Sequence, residues 1–374
     1  MDQNLKFRSK KKIRIAIIGG GYDSTISKTH LRSVLASNKF EITCGCFSKK
    51  KSKNNKNLKF YLLPKDKIYN NLDNLIDSEY KNIDLALVLT PPNGRSNIYY
   101  KLASKKIGII SEKPFEANLK SAKKIYEFLR KKKIFFVSTY NYLGYPAIME
   151  IKPLLKKIGK INNLILEMPQ QASTLNKSKM KKWRTKDLTI PNIHLDLASH
   201  LLSIIVYLFG TIPIQVNSFE VKNEKKSYID NVFTWLKFKT FIGNLWFSKN
   251  ATGKRNEISI QVFGSEGSLQ WLHNNPEEIR FHDNNGHISV INRLSKNTSY
   301  LSNKKLFTYS PGHPSGFLDA FVNIYNEIYY LYKKKKPQIP ILLSLKNNLD
   351  IIKTLEKIHT SSIKRKWQIV PTTK

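Results

Sequence analysis

The stretch IRIAIIGGGYDSTISKTH, residues 13–30, constrains the fold more than any other part of the chain. Its first six residues are almost continuously apolar, as in a strand buried on both faces of a sheet. Gly19, Gly20 and Gly21 follow directly, and a helical stretch then runs to about Val34. Glycines let a backbone turn sharply and let a pyrophosphate come close. The helix N-terminus adds unsatisfied N–H groups and a partial positive charge. Against the pattern G-x-G-x-x-G, Gly19 and Gly21 fit and Ser24 holds the third place. A dinucleotide-binding turn is expected; the alternative is a glycine-rich turn with no ligand.

The alternation continues. EITCGCFS (41–48), IDLALVLT (83–90), IGIIS (107–111) and IFFVST (134–139) read as strands, with helices expected at 95–104 and 119–132. Strands alternating with helices imply βαβ units and a doubly wound parallel sheet. After Gly144 the texture changes. Helices are expected over 147–157 and 193–209, and then VFTWLKFK, GNLWFS, EISIQVFG and GSLQWLH follow as strands without helices between them. Helical stretches return at 317–333 and 342–359. The fold class is therefore α/β. Residues 1–142 are expected to form an N-terminal doubly wound parallel sheet. Residues 143–374 form a C-terminal α/β domain with an open, mainly antiparallel sheet, whose last helix can pack back on the first domain. Val232, Leu236 and Phe238 alternate with Phe233 and Trp235, so both faces of that strand are apolar. Helices can cover one face and a second subunit the other, which predicts a homo-oligomer, dimer or tetramer.

A chain of 374 residues suits two domains. Its net charge of +37 raises the question of a polyanionic partner. The lysines are spread along the whole chain, however, and Lys, Asn and Ile share A/T-rich codons. No zinc-finger spacing or aromatic RNA-binding signature accompanies them, so no specific nucleic-acid partner is expected. No apolar run reaches the ~18 residues of a membrane helix. The basic N-terminus leads into a buried strand rather than a secretory segment, and a cytoplasmic protein is expected. Cys44 and Cys46, at strand spacing, read as core cysteines.

The helix HLDLASHLLSIIVYLF, residues 194–209, is apolar apart from Asp196 and His200, one turn apart. Oxidising a secondary alcohol needs a base that titrates near neutral pH, and imidazole suits that task. The carboxylate can fix the imidazole tautomer or bind a substrate hydroxyl. No metal is implied, since the acids and histidines show no ligand spacing beyond this pair.

TPPNGR (90–95), EKP (112–114) and the D-x-x-x-H of Asp196 and His200, with the glycine loop, resemble the glucose–fructose oxidoreductase / inositol dehydrogenase (Gfo/Idh/MocA) family. YNYLGYP (140–146), WRT (183–185), VFGSEGSLQW (262–271) and PGHPSGF (311–317) are similar to a subgroup of sugar and cyclitol dehydrogenases. The resemblance runs from about residue 13 to 365. It implies an N-terminal Rossmann domain, a C-terminal α/β domain with an open sheet, and NAD(P)-dependent hydride transfer at a hydroxyl or keto carbon of a sugar, cyclitol or nucleotide-linked sugar. It places Lys113, His200 and Asp196 at the catalytic centre. Gly19, Gly21, Ser24, Ser48, Lys49, Thr90, Pro91, Arg95, Glu112, Lys113 and Asn141 fall along the cofactor. Tyr142, Trp183, Arg184 and His313 join Lys113, Asp196 and His200 around the substrate. The second strand ends in Ser48 and Lys49 rather than an acid, so NAD and NADP both stay open.

Four positions depart from the family pattern: Arg95 and Tyr140 stand where His is usual, Ser203 where Asp is common, and Ser315 where Glu is common. They suggest a substrate different from that of relatives which keep the pattern. They also motivate the alternative of a non-catalytic sugar- or nucleotide-binding regulatory protein.

Overall fold

The computed structural model describes residues 12–48, 50–171, 188–222, 228–337 and 339–373. Lys49, Trp183 and Arg184 lie outside the described residues. The first sheet is built from β1 (Ile13–Gly19), β2 (Phe40–Cys46), β3 (Ile68–Tyr69), β4 (Leu85–Leu89), β5 (Gly108–Glu112) and β6 (Phe136–Thr139). Its order is β3-β2-β1-β4-β5-β6 and every pairing is parallel. That is the doubly wound order, with its switch point between β1 and β4. The linking helices are α1 (Thr25–Ser37), α2 (Lys51–Tyr61), α3 (Leu72–Glu79), α4 (Arg95–Ser104) and α5 (Leu119–Lys131). β4 and β5 are buried at every residue, as crossover helices on both faces demand. Asn71 and Asn118 cap α3 and α5 through their side chains.

The second sheet follows α6 (Pro146–Leu154). Its strands are β7 (Ile161–Pro169), β8 (Gln215–Lys222), β9 (Ile229–Lys237), β10 (Ile242–Ser248), β11 (Ser259–Gly264), β12 (Gly267–Leu272), β13 (Ile279–Asp283), β14 (Ile288–Ile291) and β15 (Gln368–Ile369). The order is β14-β13-β12-β11-β7-β10-β9-β8-β15. All its pairings are antiparallel except β7 with β10, which run parallel at the centre. Residues His194–Ala198 form a π-helical turn leading into α7 (Ser199–Phe209). The helices α8 (Phe317–Tyr332) and α9 (Leu345–Lys364) complete the chain, and α9 packs on both α5 and β8.

Several elements escape the hydrophobic pattern. The helix α2 is KSKNNKNLKFY, too polar for periodicity to show. β13 and β14 lie at the sheet edge and bury little, and β7 was hidden beside the helix before it. The expected helix 147–157 breaks at Leu154 and closes with a 3₁₀ turn. Among the described residues no helix is long and apolar enough to cross a membrane. Cys44 and Cys46 are free thiols; burial pushes Cys44 up to about 12 and Cys46 up to about 11. Both are protonated at neutral pH; Cys44 is a core residue and Cys46 is half-buried against the core.

A buried carboxylate fastens the second sheet to its helices. Glu220 of β8 meets His194 Nε2 at 2.6 Å and His359 Nδ1 of α9 at 2.9 Å. The three donor atoms lie within 4.8 Å of one another, a set that resembles metal ligands. Their separations are those of hydrogen bonds. Metal on Nε2 of neutral His194 would also put the ring proton on Nδ1, which is buried with no acceptor among the described residues. Burial alone would raise the Glu220 carboxyl, but hydrogen bonds from His194 and His359 outweigh it and hold the group below its ordinary value. A depressed folded value stabilises the fold above the unfolded pKa of about 4.3 and is lost as pH falls through the folded value. Glu220→Gln should therefore destabilise at neutral pH by about 1–3 kcal/mol. It should also flatten the acid limb of stability in urea unfolding; an unchanged acid limb would show that Glu220 does not clamp these elements.

Candidate active site

The glycine loop sits at the switch point. Gly19 and Gly20 adopt φ of +78° and +65°, a region where a Cβ is strained. Space is denied as well: a Cβ on Gly20 would lie 2.5 Å from Leu89 Cδ1, and one on Gly19 2.8 Å from Thr90 Cγ2. The loop is fastened from α2. Asn57 Oδ1 accepts from the Tyr22 N–H at 2.8 Å, and the Tyr61 hydroxyl donates to the Gly20 carbonyl. Ser24 is the N-cap residue of α1 in extended geometry, its N–H bonded to Gly21 O at 2.9 Å. Ser48 lies two residues beyond β2, and its Oγ accepts from the Lys50 N–H at 3.1 Å just before α2.

Two buried polar atoms beyond the ends of strands in this sheet lack partners among the described residues: Thr90 Oγ1, in the residue beside Gly19, and Asn141 Nδ2, after β6. A buried polar atom left alone costs about 1–3 kcal/mol. A glycine cradle with such an atom beside it, and a second beyond the same end of the parallel sheet, fits a dinucleotide with a polar head group. Pro91 is exposed at the same rim.

The other expected cofactor residues act inside the protein. Arg95 is 3% exposed, and its guanidinium donates to the carbonyls of Thr90, Glu112 and Pro114. It ties the loop after β4 to the loop after β5, so its role is to hold the cleft's edge. Glu112 is equally enclosed. His30 Nε2 of α1 lies 3.2 Å from its Oε1, and the Thr139 hydroxyl donates to it at 2.9 Å. Burial would raise the carboxyl, yet His30, Lys113 and Arg95 together keep it below its ordinary value. Tyr325 of α8 closes the chain, its hydroxyl 2.7 Å from His30 Nδ1. This braced carboxylate fixes the backbone that carries Lys113.

Lys113 reaches across to the second unit. Its Nζ donates to the Asp196 carbonyl at 2.6 Å and lies 3.3 Å from Asp196 Oδ1. The π-helical turn opens the helix at this point, a geometry in which a carbonyl is available to a side chain. Asp196 and His200 thus straddle a π–α junction rather than one regular turn. A third charged group, absent from the sequence reading, completes the cluster: Lys249 Nζ lies 2.9 Å from Asp196 Oδ2. Lys249 follows β10 and its side chain is 6% exposed. The one signal for it was its place directly after a strand in a lysine-rich chain, which distinguishes nothing.

Asp196 therefore faces two ammonium groups rather than serving only His200. His200 is 5% exposed and its Nδ1 has no partner among the described residues. Its ring packs edge-on to Tyr142 at 4.8 Å. The Tyr142 hydroxyl, pushed up to about 12 by burial, accepts from Asn256 Nδ2 at 2.9 Å. Ser203 donates to the His200 carbonyl at 2.6 Å, a helix-internal bond. Tyr140 is buried at the end of β6. His313 stands apart. It is exposed on the loop before α8, where its carbonyl accepts from Arg293 and the Ser315 N–H donates to Glu277. No contact joins it to Lys113, Asp196 or His200 among the described residues, so the expectation that it borders the substrate has no support in this geometry.

Burial, reinforced by the charge of Lys113, holds His200 well below the ordinary histidine range, against a smaller opposing pull from Asp196. The imidazole is neutral at pH 7 and a weak base.

The sequence matches two family profiles. One, "oxidoreductase family, NAD-binding Rossmann fold", covers residues 13–140; the other, "oxidoreductase family, C-terminal alpha/beta domain", covers 156–343. A levoglucosan dehydrogenase of Pseudarthrobacter phenanthrenivorans is 24% identical over 231 residues, spanning 54% of this chain and 58% of that protein. An uncharacterised protein of Saccharomyces cerevisiae is 25% identical over 209 residues, spanning 55% of this chain and 59% of that protein. The chain thus covers under two thirds of either relative's length. An inositol dehydrogenase homologue of Azotobacter vinelandii, solved with NADH and myo-inositol, superposes with a TM-score of 0.87 at 19% identity over 96% of this chain and 98% of that one. It shares the fold.

In histidine-labelled protein, the His200 resonance, identified by its loss in His200→Asn, should stay in the neutral form across the window in which an ordinary histidine titrates. Titration inside that window would show that the site is more open or less cationic than described.

Proposed function

The chain belongs to the Gfo/Idh/MocA oxidoreductase family, and from that premise we propose that it is an NAD(P)-dependent dehydrogenase acting on a secondary hydroxyl of a sugar, cyclitol or nucleotide-linked sugar. The observation that carries this reading is the meeting of Lys113, directly after β5, with Asp196 of the π-helical turn and Lys249, directly after β10, beside a neutral buried His200.

When bound, the nicotinamide supplies the hydride acceptor. Gly19, Gly20 and the α1 N-terminus would hold its pyrophosphate, and Thr90 and Asn141 its nicotinamide end. The reacting hydroxyl must lose its proton as its carbon loses hydride. His200 can hydrogen-bond that hydroxyl as a neutral ring. It accepts a full charge poorly, because burial and Lys113 both oppose an imidazolium. The proton therefore goes to Lys113 Nζ when that amine is neutral; Nζ becomes an ammonium as the hydroxyl oxygen becomes a carbonyl oxygen and hydride leaves the carbon. Asp196 orients Lys113 through two atoms, its carbonyl and its Oδ1. Arg95 and Ser203, both departures from the family pattern, have their polar groups engaged by backbone carbonyls. They leave the Lys113–Asp196 contact intact, which supports turnover over a purely binding role.

Calorimetric titration with NADH and, separately, NADPH tests the first step, and a panel of sugars, cyclitols and nucleotide-linked sugars tests the second. Lys113→Ala and His200→Ala should keep cofactor binding and lose about 10²–10⁴-fold in turnover. Cofactor binding with no turnover on any substrate would leave a binding protein; failure to bind either cofactor would end the dehydrogenase reading.

The second sheet also supports a homodimer. Phe219, Phe233 and Trp246 lie directly opposite one another on β8, β9 and β10, with Phe233 and Trp246 stacked at 5.8 Å. Phe219, Phe233, Trp235 and Ile242 are 69%, 47%, 57% and 50% exposed. A contiguous apolar face of this kind marks an interface, and its self-complementary strip suits a second copy. Trp235→Glu should halve the mass seen by light scattering; an unchanged mass would move the interface elsewhere.

A further inference from the structure

Lys249 is 5% exposed, and an ammonium so placed needs a counter-charge. Its Nζ has one in Asp196 Oδ2 at 2.9 Å. The same carboxylate meets Lys113 through Oδ1 at 3.3 Å. One negative charge is thus shared between two lysines whose backbones come from different sheets. The position of Lys249 is set firmly. Its N–H donates to the Asp230 carbonyl at 2.7 Å, and Gln170 N–H donates to Ser248 O at 2.7 Å where β7 and β10 end side by side.

We propose that Lys249 is a positioning residue: it keeps Asp196 from pairing with Lys113 alone, and so leaves Lys113 Nζ able to give up and regain the reacting proton. This rests on the role given to Lys113 above. The physical reason is direct. A buried carboxylate paired with Lys113 alone would hold that proton tightly, because releasing it would strand an uncompensated charge. With Lys249 in place, Asp196 stays neutralised when Lys113 is neutral, and the second ammonium repels the first. The other titratable groups near Lys113 do not replace this effect. His200, from α7, is held neutral by burial. Glu112, the preceding residue, is occupied by His30 of α1 and Thr139 of β6. Asp230 of β9 meets Lys249 through its backbone carbonyl. The sharing geometry also separates charge from shape. An arginine in place of Lys249 could reach Oδ2 with its charge retained, whereas a glutamine could donate a hydrogen bond with no charge.

The test is the titration of Lys113 in full-length protein labelled with 13Cε-lysine, its resonance identified by loss in Lys113→Arg. Lys249→Met and Lys249→Gln should raise the Lys113 midpoint by about one to two pH units. Lys249→Arg should leave it near the wild-type value. Thermal melts establish that each variant is folded, and the glutamine variant serves if the methionine variant is not. With a substrate in hand, the acid limb of the kcat profile should shift upward in Lys249→Gln by the same amount and return in Lys249→Arg. An unmoved Lys113 midpoint in a folded Lys249→Gln protein overturns the inference even if turnover is present. A midpoint that moves as expected in a protein that turns over nothing would sink the proposed activity and leave this inference standing.

Discussion

A charge taken out of water must meet a counter-charge or several hydrogen bonds, and the cleft of this protein is organised by such meetings. Arg95 satisfies its guanidinium on loop carbonyls, Glu112 on His30 and Thr139, and Asp196 on two lysines. Glu112 and Asp196 thereby join elements far apart in the chain. Lys113 and Asp196 are 83 residues apart, one directly after β5 and the other in the π-helical turn before α7. Removing one partner would leave a buried charge alone, which is why these contacts hold the two halves in one working geometry rather than merely touching.

The same economy of partners explains the position of the glycine loop. Asn57 and Tyr61, on a helix with hardly any apolar face, fasten its backbone by hydrogen bonds, while Leu89 and Thr90 close in from β4. Side chains would be excluded there by both space and dihedral angle. The loop is consequently presented as bare backbone at the switch point, beside Thr90, whose buried hydroxyl still lacks a partner among the described residues. On the far side, Glu220 ties the π-helical turn to β8 and α9, so the widened turn that offers the Asp196 carbonyl to Lys113 is itself held from behind.

Much of this was legible in the chain. The parallel sheet announced itself because β1, β4 and β5 are apolar on both faces, and the glycines after β1 admit few other conformations. Lys113 and His200 were legible through short motifs whose residue types suit proton transfer. Arg95 and Glu112 were legible as positions but not as roles, since a motif does not show whether a polar side chain points into a cleft or into the protein. Lys249 was not legible at all: among the many lysines of this chain, only burial distinguishes it. The triad at Glu220 was hidden for a similar reason, its members lying on three separate elements. His313, conspicuous in a motif, lies on an exposed loop bonded elsewhere.

By itself, then, the sequence determined the local features: which segments are strands or helices, where the backbone must turn on glycine, and which side chains carry chemistry. Those follow from periodicity, steric limits and functional groups, all of which act over a few neighbouring residues. The tertiary structure alone decided how Asp196 divides its charge, that His200 is neutral, and that β7 and β10 run parallel at the centre of an otherwise antiparallel sheet. Those properties depend on burial and on partners that the chain brings together over distances of 50 or more residues, where electrostatics is governed by what surrounds a group rather than by what precedes it.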